Sequence, residues 1–214
     1  MGMNDIGLIG YSDYLVSIQS CQLTGQMNTS TNTTSSCFGS LIGNSVDFSG
    51  NRTATLTVSN VTDTVAVVAQ AWDVGIIGTV GTIIVQISSL NATKAFTMTF
   101  FDETAVVLGE NRNSTVSISQ TKITANIAIT GGNLGPGLLM GDVLFTATIT
   151  VTSVQANVSV TANTKFGAIV GNIEVGGTLL YNVNSFQLNT SIRCIGGSTY
   201  VAATIGSISG CQCT

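Results

Sequence analysis

The chain has 214 residues, with six basic and ten acidic side chains and a net charge of −4 at neutral pH. At 7% charged it lies far below the roughly 25% of an ordinary soluble domain, and it lacks the charge excess that keeps a chain disordered. Scattered basic residues exclude a nucleic-acid surface, and the absence of histidine removes Ser-His-Asp catalysis and imidazole metal sites.

Thr, Ser and Asn together supply 70 residues, so the polar surface must be hydroxyl and amide. Such a surface is indifferent to pH, because few of its groups titrate. The abundance of Val, Ile and Thr favours pleated sheet over helix.

In chain order, residues 1–13 read as an extended tail. Ile6, Leu8 and Gly10 share one face of it, and Ile9 and Tyr11 the other. A strand is predicted at 14–19, followed by the polar loop 27–36. Alternation of apolar and polar residues predicts strands at 53–59, 122–130, 143–152, 154–161 and 185–193. One wet and one buried face is the habit of antiparallel sheets. More fully buried strands are predicted at 64–71, 82–88 and 95–101, with weaker ones at 104–108, 115–119, 166–175 and 199–205. Turn signals fall at 49–51, 131–133, 176–177 and 196–197. No amphipathic helix and no fixed-period repeat emerges. The expected fold is all-β, a single β-sandwich or jelly roll over 14–214, preceded by an extended N-terminal strand at 1–13.

Residues 74–93 carry no charge but hold three glycines, Gln86 and several hydroxyls. They read as buried strands, and no membrane span is expected. Residues 1–20 lack the basic start and apolar run of a secretory signal, so an exported protein would be represented by its mature chain. Glycosylation sequons stand at Asn28, Asn32, Asn51, Asn60, Asn91, Asn113, Asn157 and Asn189. All fall in predicted loops, strand ends or polar strand faces, as a bulky glycan requires. Export also suits the cysteines. Cys21 with Cys37, and Cys194 with Cys211 or Cys213, are the expected disulfides, leaving one cysteine over.

Little in the chain points to catalysis. Carboxylate pairs for glycoside hydrolysis would have to come from Asp102 with Glu103, or from Glu110 or Glu174 with a distant Asp. Adjacent residues on a strand face opposite ways, so the first pair is poor. Gly131–Gly137 lacks the Lys-Ser/Thr of a phosphate loop and reads as a turn. Lys94, Lys122 and Lys165 have the chemistry for isopeptide bonds with Asn, and Trp72 reads as core. No enzyme, no metal and no cofactor is expected.

The tail suggests an assembly device. An extended segment with alternating anchors Ile6, Leu8 and Ile9, and with Gly7 and Gly10 permitting close approach, can add to the open sheet edge of a neighbour. With its Thr/Ser/Asn-rich strands, eight sequons, low charge and this tail, the chain resembles the subunits of archaeal extracellular filaments called threads. That resemblance implies a secreted, glycosylated β-sandwich that polymerises head to tail by donor-strand complementation, for adhesion or biofilm. The expected partners are copies of the same chain and covalent N-glycans. The alternative is a secreted coat, adhesin or binding module that does not polymerise.

Overall fold

A computed structural model describes residues 4–12, 15–28, 36–46, 54–69, 73–98, 103–129, 136–162, 166–174, 176–194, 201–202, 205–208 and 212–213. These residues are 83% strand, with no helix. They wind into a β-solenoid of about five turns. Each turn lays one short stretch in a narrow sheet and one long stretch in a wide sheet, with the core between them. Every strand pair among the described residues is parallel, as in Asn4–Ile6 on Ser36–Val46 and Ile84–Met98 on Thr115–Ile129.

Successive rungs of the narrow sheet are Asn4–Ile6 with Ile9–Ser12, then Ser36–Val46, Asp73–Gly81, Leu108–Arg112, Met140–Val143, Val170–Ile173 and Ile205–Ile208. The wide sheet stacks Val16–Gln19, Thr55–Asp63, Ile84–Met98, Thr115–Ile129, Thr146–Ala162 and Thr178–Cys194. Ile84 lies beside Thr115, Thr115 beside Thr148 and Thr148 beside Leu180, so the chain returns every 31 to 33 residues here.

This overturns the sandwich. The alternating stretches lie largely on strands, although Phe145 of 143–152 is exposed, and alternation reports only that one face is wet. In a solenoid the opposite wall covers the inner face of a parallel sheet, so alternation carries no information on strand direction. The tail at residues 4–12 is likewise no free donor strand. It is the first rung of the chain's own narrow sheet, with Asp5 beside Cys37, Ile6 beside Phe38 and Ile9 beside Ile42.

The core is built of like residues stacked on like. Leu56, Val85, Val116 and Ile149 form one column, and Val58, Ile87, Ile118 and Val151 the next. Ile42, Ile77, Leu108, Met140 and Val170 face them from the narrow wall. Each such side chain contributes about 1.5–3 kcal/mol when fully buried.

The wide strand is bent once per turn. Ser20, Asn60, Ser89, Gln120, Ser153 and Ser185 all take left-handed backbone conformations, with φ between 47° and 63°. They fall between register pairs on adjacent rungs, so the corners form a column. At each corner two consecutive side chains point outward, as Ser88 and Ser89 do, and the alternation then resumes in opposite phase. Residues 143–152 and 154–161, read as two strands, are therefore largely one bent strand, Thr146–Ala162. Small polar side chains tolerate this conformation best. Asn60 Nδ2 donates to Ser20 Oγ at 3.1 Å, and Ser89 Oγ to Gln120 Oε1 at 3.3 Å, tying corners to corners.

The narrow wall turns on glycine. A Cβ on Gly78 would meet the Gly43 carbonyl oxygen at 2.3 Å, one on Gly109 the Gly78 oxygen at 2.6 Å, and one on Gly141 the Gly109 oxygen at 2.5 Å. Backbone fills the space a side chain would need. Gly78→Ala should therefore cost at least about 3 kcal/mol, because neither partner can retreat. Thr93→Ala on the wet face should stay within about 0.5 kcal/mol. Urea unfolding of the two variants checks the difference.

Candidate functional site

The tight narrow turn brings the strand entering it against the strand leaving it. One wall of the resulting interior column is Asp5, Cys37, Asp73 and Glu103, stacked in register. The other is Asn44, Thr79, Glu110, Asp142 and Asn172. All of these but the partly buried Asp5 are buried.

Thr79 Oγ1 donates to Asp73 Oδ2 at 2.6 Å, the Cys37 thiol lies 3.2 Å from the same oxygen, and Asn172 Nδ2 donates to Asp142 Oδ1 at 2.8 Å. Arg112 Nε reaches Glu110 Oε1 at 2.6 Å from the column's edge. Carboxylate oxygens of Asp73, Glu103 and Glu110 come within 4.8 Å of one another, as do those of Glu103, Asp142 and Glu174. Asp73 Oδ1, Glu110 Oε2, Asp142 Oδ2, Asn172 Oδ1 and Asn44 Oδ1 are buried without a hydrogen-bond partner.

So many buried acceptors need donors or positive charge. Protons are one source. Burial is the main cause that pushes the Glu103 carboxyl up to about 11, with Asp73 and Glu110 adding to it. Burial also raises Glu110 to about 7 against the opposing pull of Arg112, and Asp142 to about 7 against that of Asn172. Burial and Asp73 push the Cys37 thiol well above its usual range. A cation is the other source. The donors are carboxylate, amide and hydroxyl oxygens, the hard set that suits calcium, magnesium or manganese.

Of the carboxylates weighed for catalysis, Glu110 and Glu174 meet distant aspartates, Asp73 and Asp142 respectively, and Glu103, weighed with Asp102, lies within reach of both groups. Glu103 and Glu110 are buried inside the stack. Asp102 lies outside the described residues. Asp73 and Asp142 were not singled out, although a signal existed. The residue after the narrow-turn glycine is Asn44, Thr79, Glu110, Asp142 and Asn172 in five successive rungs.

The wide sheet presents the other distinctive surface. Its outward ladders run Ser17, Thr57, Gln86, Ser117, Thr150 and Asn182, then Gln19, Ser59, Ser88, Ser119, Thr152 and Asn184. Beyond the corner, Lys122, Gln155 and Gln187 line up beside Thr124, Asn157 and Asn189 in a shallow trough of about 440 Å3. Among the described residues the exposed charges are Lys122 and Arg193, both on this face.

The sequon asparagines Asn28, Asn60, Asn91, Asn157 and Asn189 are exposed, and Asn113 is half-buried. Asn32 and Asn51 lie outside the described residues. Asn157 and Asn189 are register partners, so glycans on both would start about 4.8 Å apart.

Among the described residues the expected disulfides Cys21–Cys37 and Cys194–Cys213 are not formed, and the alternative Cys194–Cys211 lies outside them. Cys21 and Cys37 are free. Cys21 belongs to the wide sheet, where its carbonyl accepts from Thr62, and Cys37 to the narrow one, with its thiol turned to Asp73. Cys213 lies beside Leu179, at the far end of the strand that finishes at Cys194, well beyond disulfide reach. Cys211, Trp72 and Lys165 lie outside the described residues. Residues 74–93 form parts of two strands, Asp73–Gly81 of the narrow sheet and Ile84–Met98 of the wide one, and no helix among the described residues is long and apolar enough to cross a membrane.

No protein-family model, curated protein or solved structure matches the chain.

The column makes stability depend on pH in a defined direction. Glu110 and Asp142 bind protons more tightly in the folded state than at their ordinary values of 4.5 and 3.8. Their stabilisation is full below those values and is lost as pH rises toward 7. In EDTA, the melting temperature should fall between pH 4 and pH 7, with a loss on the order of a few kcal/mol. Millimolar calcium should raise it at pH 8 and not at pH 4. Asp142→Asn should lessen that fall, leaving the part due to Glu110 and Glu103. A flat profile for the unmodified protein in EDTA would contradict the protonation account.

Proposed function

We propose that this chain is a non-catalytic, extracellular structural module that holds polyhydroxylated polymers against its wide face. The observation that carries this reading is the register of the outward ladders. A hydroxyl or an amide recurs at every rung of these ladders, about 4.8 Å apart, with no exposed acidic residue among those described. A regular row of hydroxyls and amides offers a polymer many equivalent, individually weak contacts. The trough along Lys122, Gln155 and Gln187 recesses part of that face. Its walls stand on rigid strand, so little order has to be gained on binding. Exposed sequon asparagines support an extracellular setting.

Head-to-tail assembly is a second reading, now through solenoid ends and not a donor strand. Leu8 and Leu15 on the first rung are 62% and 74% exposed. Tyr181 and Val183 continue the core columns of Ile149 and Val151, yet are 46% and 36% exposed. A second copy stacked end to end would cover both sets and continue the parallel sheets, a heterologous contact that builds filaments.

Two measurements test these readings. In sedimentation with insoluble cellulose, chitin and xylan, the protein should pellet with at least one polymer. Replacing Gln155 and Gln187 with Ala should weaken binding about tenfold, since each amide contributes roughly 0.5–1.5 kcal/mol. No pelleting, or pelleting unchanged in the variant, would sink the polymer reading. For the second reading, negative-stain microscopy of natively purified protein should show thin filaments that Leu15→Lys disperses; dispersed particles without the substitution would end it.

A further inference from the structure

Three polar side chains meet in the core, away from the acidic column. Lys94 and Asp63 have fully buried side chains, and Lys94 Nζ lies 2.5 Å from Asp63 Oδ2. Ser40 of the narrow wall completes the group: its hydroxyl donates to Asp63 Oδ2, while its oxygen accepts from Lys94 Nζ at 2.9 Å. Lys94 Nζ also reaches the Val65 carbonyl at 3.3 Å. The second carboxyl oxygen, Asp63 Oδ1, accepts from the backbone N–H of Val65 at 3.0 Å. Asp63 and Lys94 belong to neighbouring rungs, with Asp63 beside Ala92 in register.

We infer that Lys94 and Asp63 react to form an intramolecular amide that welds the second rung of the wide sheet to the third. The amine nitrogen attacks Asp63 Cγ. Charge develops on Oδ1, where the Val65 N–H already points. Ser40, in contact with both nitrogen and Oδ2, relays two protons in turn, one from the ammonium before attack, which leaves amine and carboxylic acid, and one from the nitrogen after it. Oδ2 then leaves as water, and the new N–C bond replaces the old C–O bond. Ammonium and carboxylate on one side, amide and water on the other, balance in atoms, electrons and charge, so no oxidant or co-reactant is needed.

The surroundings favour the reaction. Burial lowers the Lys94 amine to about 8, which increases its neutral, nucleophilic fraction. Fixing two reactants in contact can replace a bimolecular encounter by effective molarities of roughly 10⁵ M or more. Condensation also removes two charges from a dry interior, where an ion pair is poorly compensated for its lost hydration. The Lys-Asn bond considered from sequence gives way to Lys-Asp, because Asp63 is the side chain in contact with Lys94.

Intact-mass measurement of the unglycosylated, reduced full-length chain tests this directly. The mass should lie about 18 Da, one water, below the sequence mass. Tandem spectra of a digest should show one branched peptide joining the segments that hold Asp63 and Lys94. Asp63→Asn keeps the geometry but makes ammonia the leaving group, so its deficit should become about 17 Da. Lys94→Met should restore the full mass. An unmodified chain at its sequence mass, or a water loss without the branched peptide, would overturn the inference. Either result is readable on the unmodified chain even if a variant does not fold.

Discussion

The structure depends on backbone meeting backbone at the narrow turn. Where the Gly43 carbonyl occupies the place of a Gly78 side chain, and Gly78 that of Gly109, successive rungs are locked at the height of a parallel sheet. That close approach makes the turn tight enough for the entering and leaving strands to face each other. The polar column between Asp73 and Glu110 exists because of it. The wide sheet inherits the same spacing, so its outer side chains stand in register without any contact of their own having to enforce it. A solenoid of this kind gains stability from neighbour to neighbour, and a clash at one rung is felt by the rungs on both sides.

The charge distribution is the reverse of the usual one. A sparsely charged chain places Asp63, Asp73, Lys94, Glu103, Glu110 and Asp142 inside and leaves hydroxyls and amides outside. The exterior fits the expectation of a surface indifferent to pH. The interior does not, because burial has moved titration from the surface to the column, where each lost proton costs more. The two buried groups resolve their charge differently. Lys94 and Asp63 carry opposite charges in contact and can cancel them covalently. The acidic column has one guanidinium, Arg112, at its margin, and is left to protons or a hard cation.

Much of the secondary structure was legible. The alternating stretches at 122–130 and 154–161 coincide with wide-sheet strands because one face of that sheet is wet and the other packs on the narrow wall. Strand direction was not legible, since the period of two is the same in either direction. The repeat was present but irregular. Two apolar residues followed by glycine recur at Leu41-Ile42-Gly43, Ile76-Ile77-Gly78, Val107-Leu108-Gly109, Leu139-Met140-Gly141 and Ile169-Val170-Gly171, at steps that vary because the corners and loops between them vary. The second half of the repeat is an inward apolar residue, two outward polar residues and a return inward, as in Ile87-Ser88-Ser89-Leu90. Read singly, each looks like a strand ending. Stacked, they are one corner. The acidic site escaped notice for the same reason: Glu110 and Asp142 lie far apart in sequence and become neighbours only when the repeat is aligned.

That alignment also bears on function. A pocket for a small molecule needs different groups converging on one point. The wide face instead repeats similar groups along a line, with Gln155 and Gln187 beside Asn157 and Asn189. Such a line discriminates poorly among small solutes, since no single rung binds strongly. It favours a partner that is itself periodic, because each added repeat unit engages another rung already held in place, and the later contacts carry less of the entropic cost of association. Rigidity then becomes a functional property. On the proposed reading, the glycine column of the narrow wall would serve binding without touching the polymer, because it fixes the height at which every outer group stands.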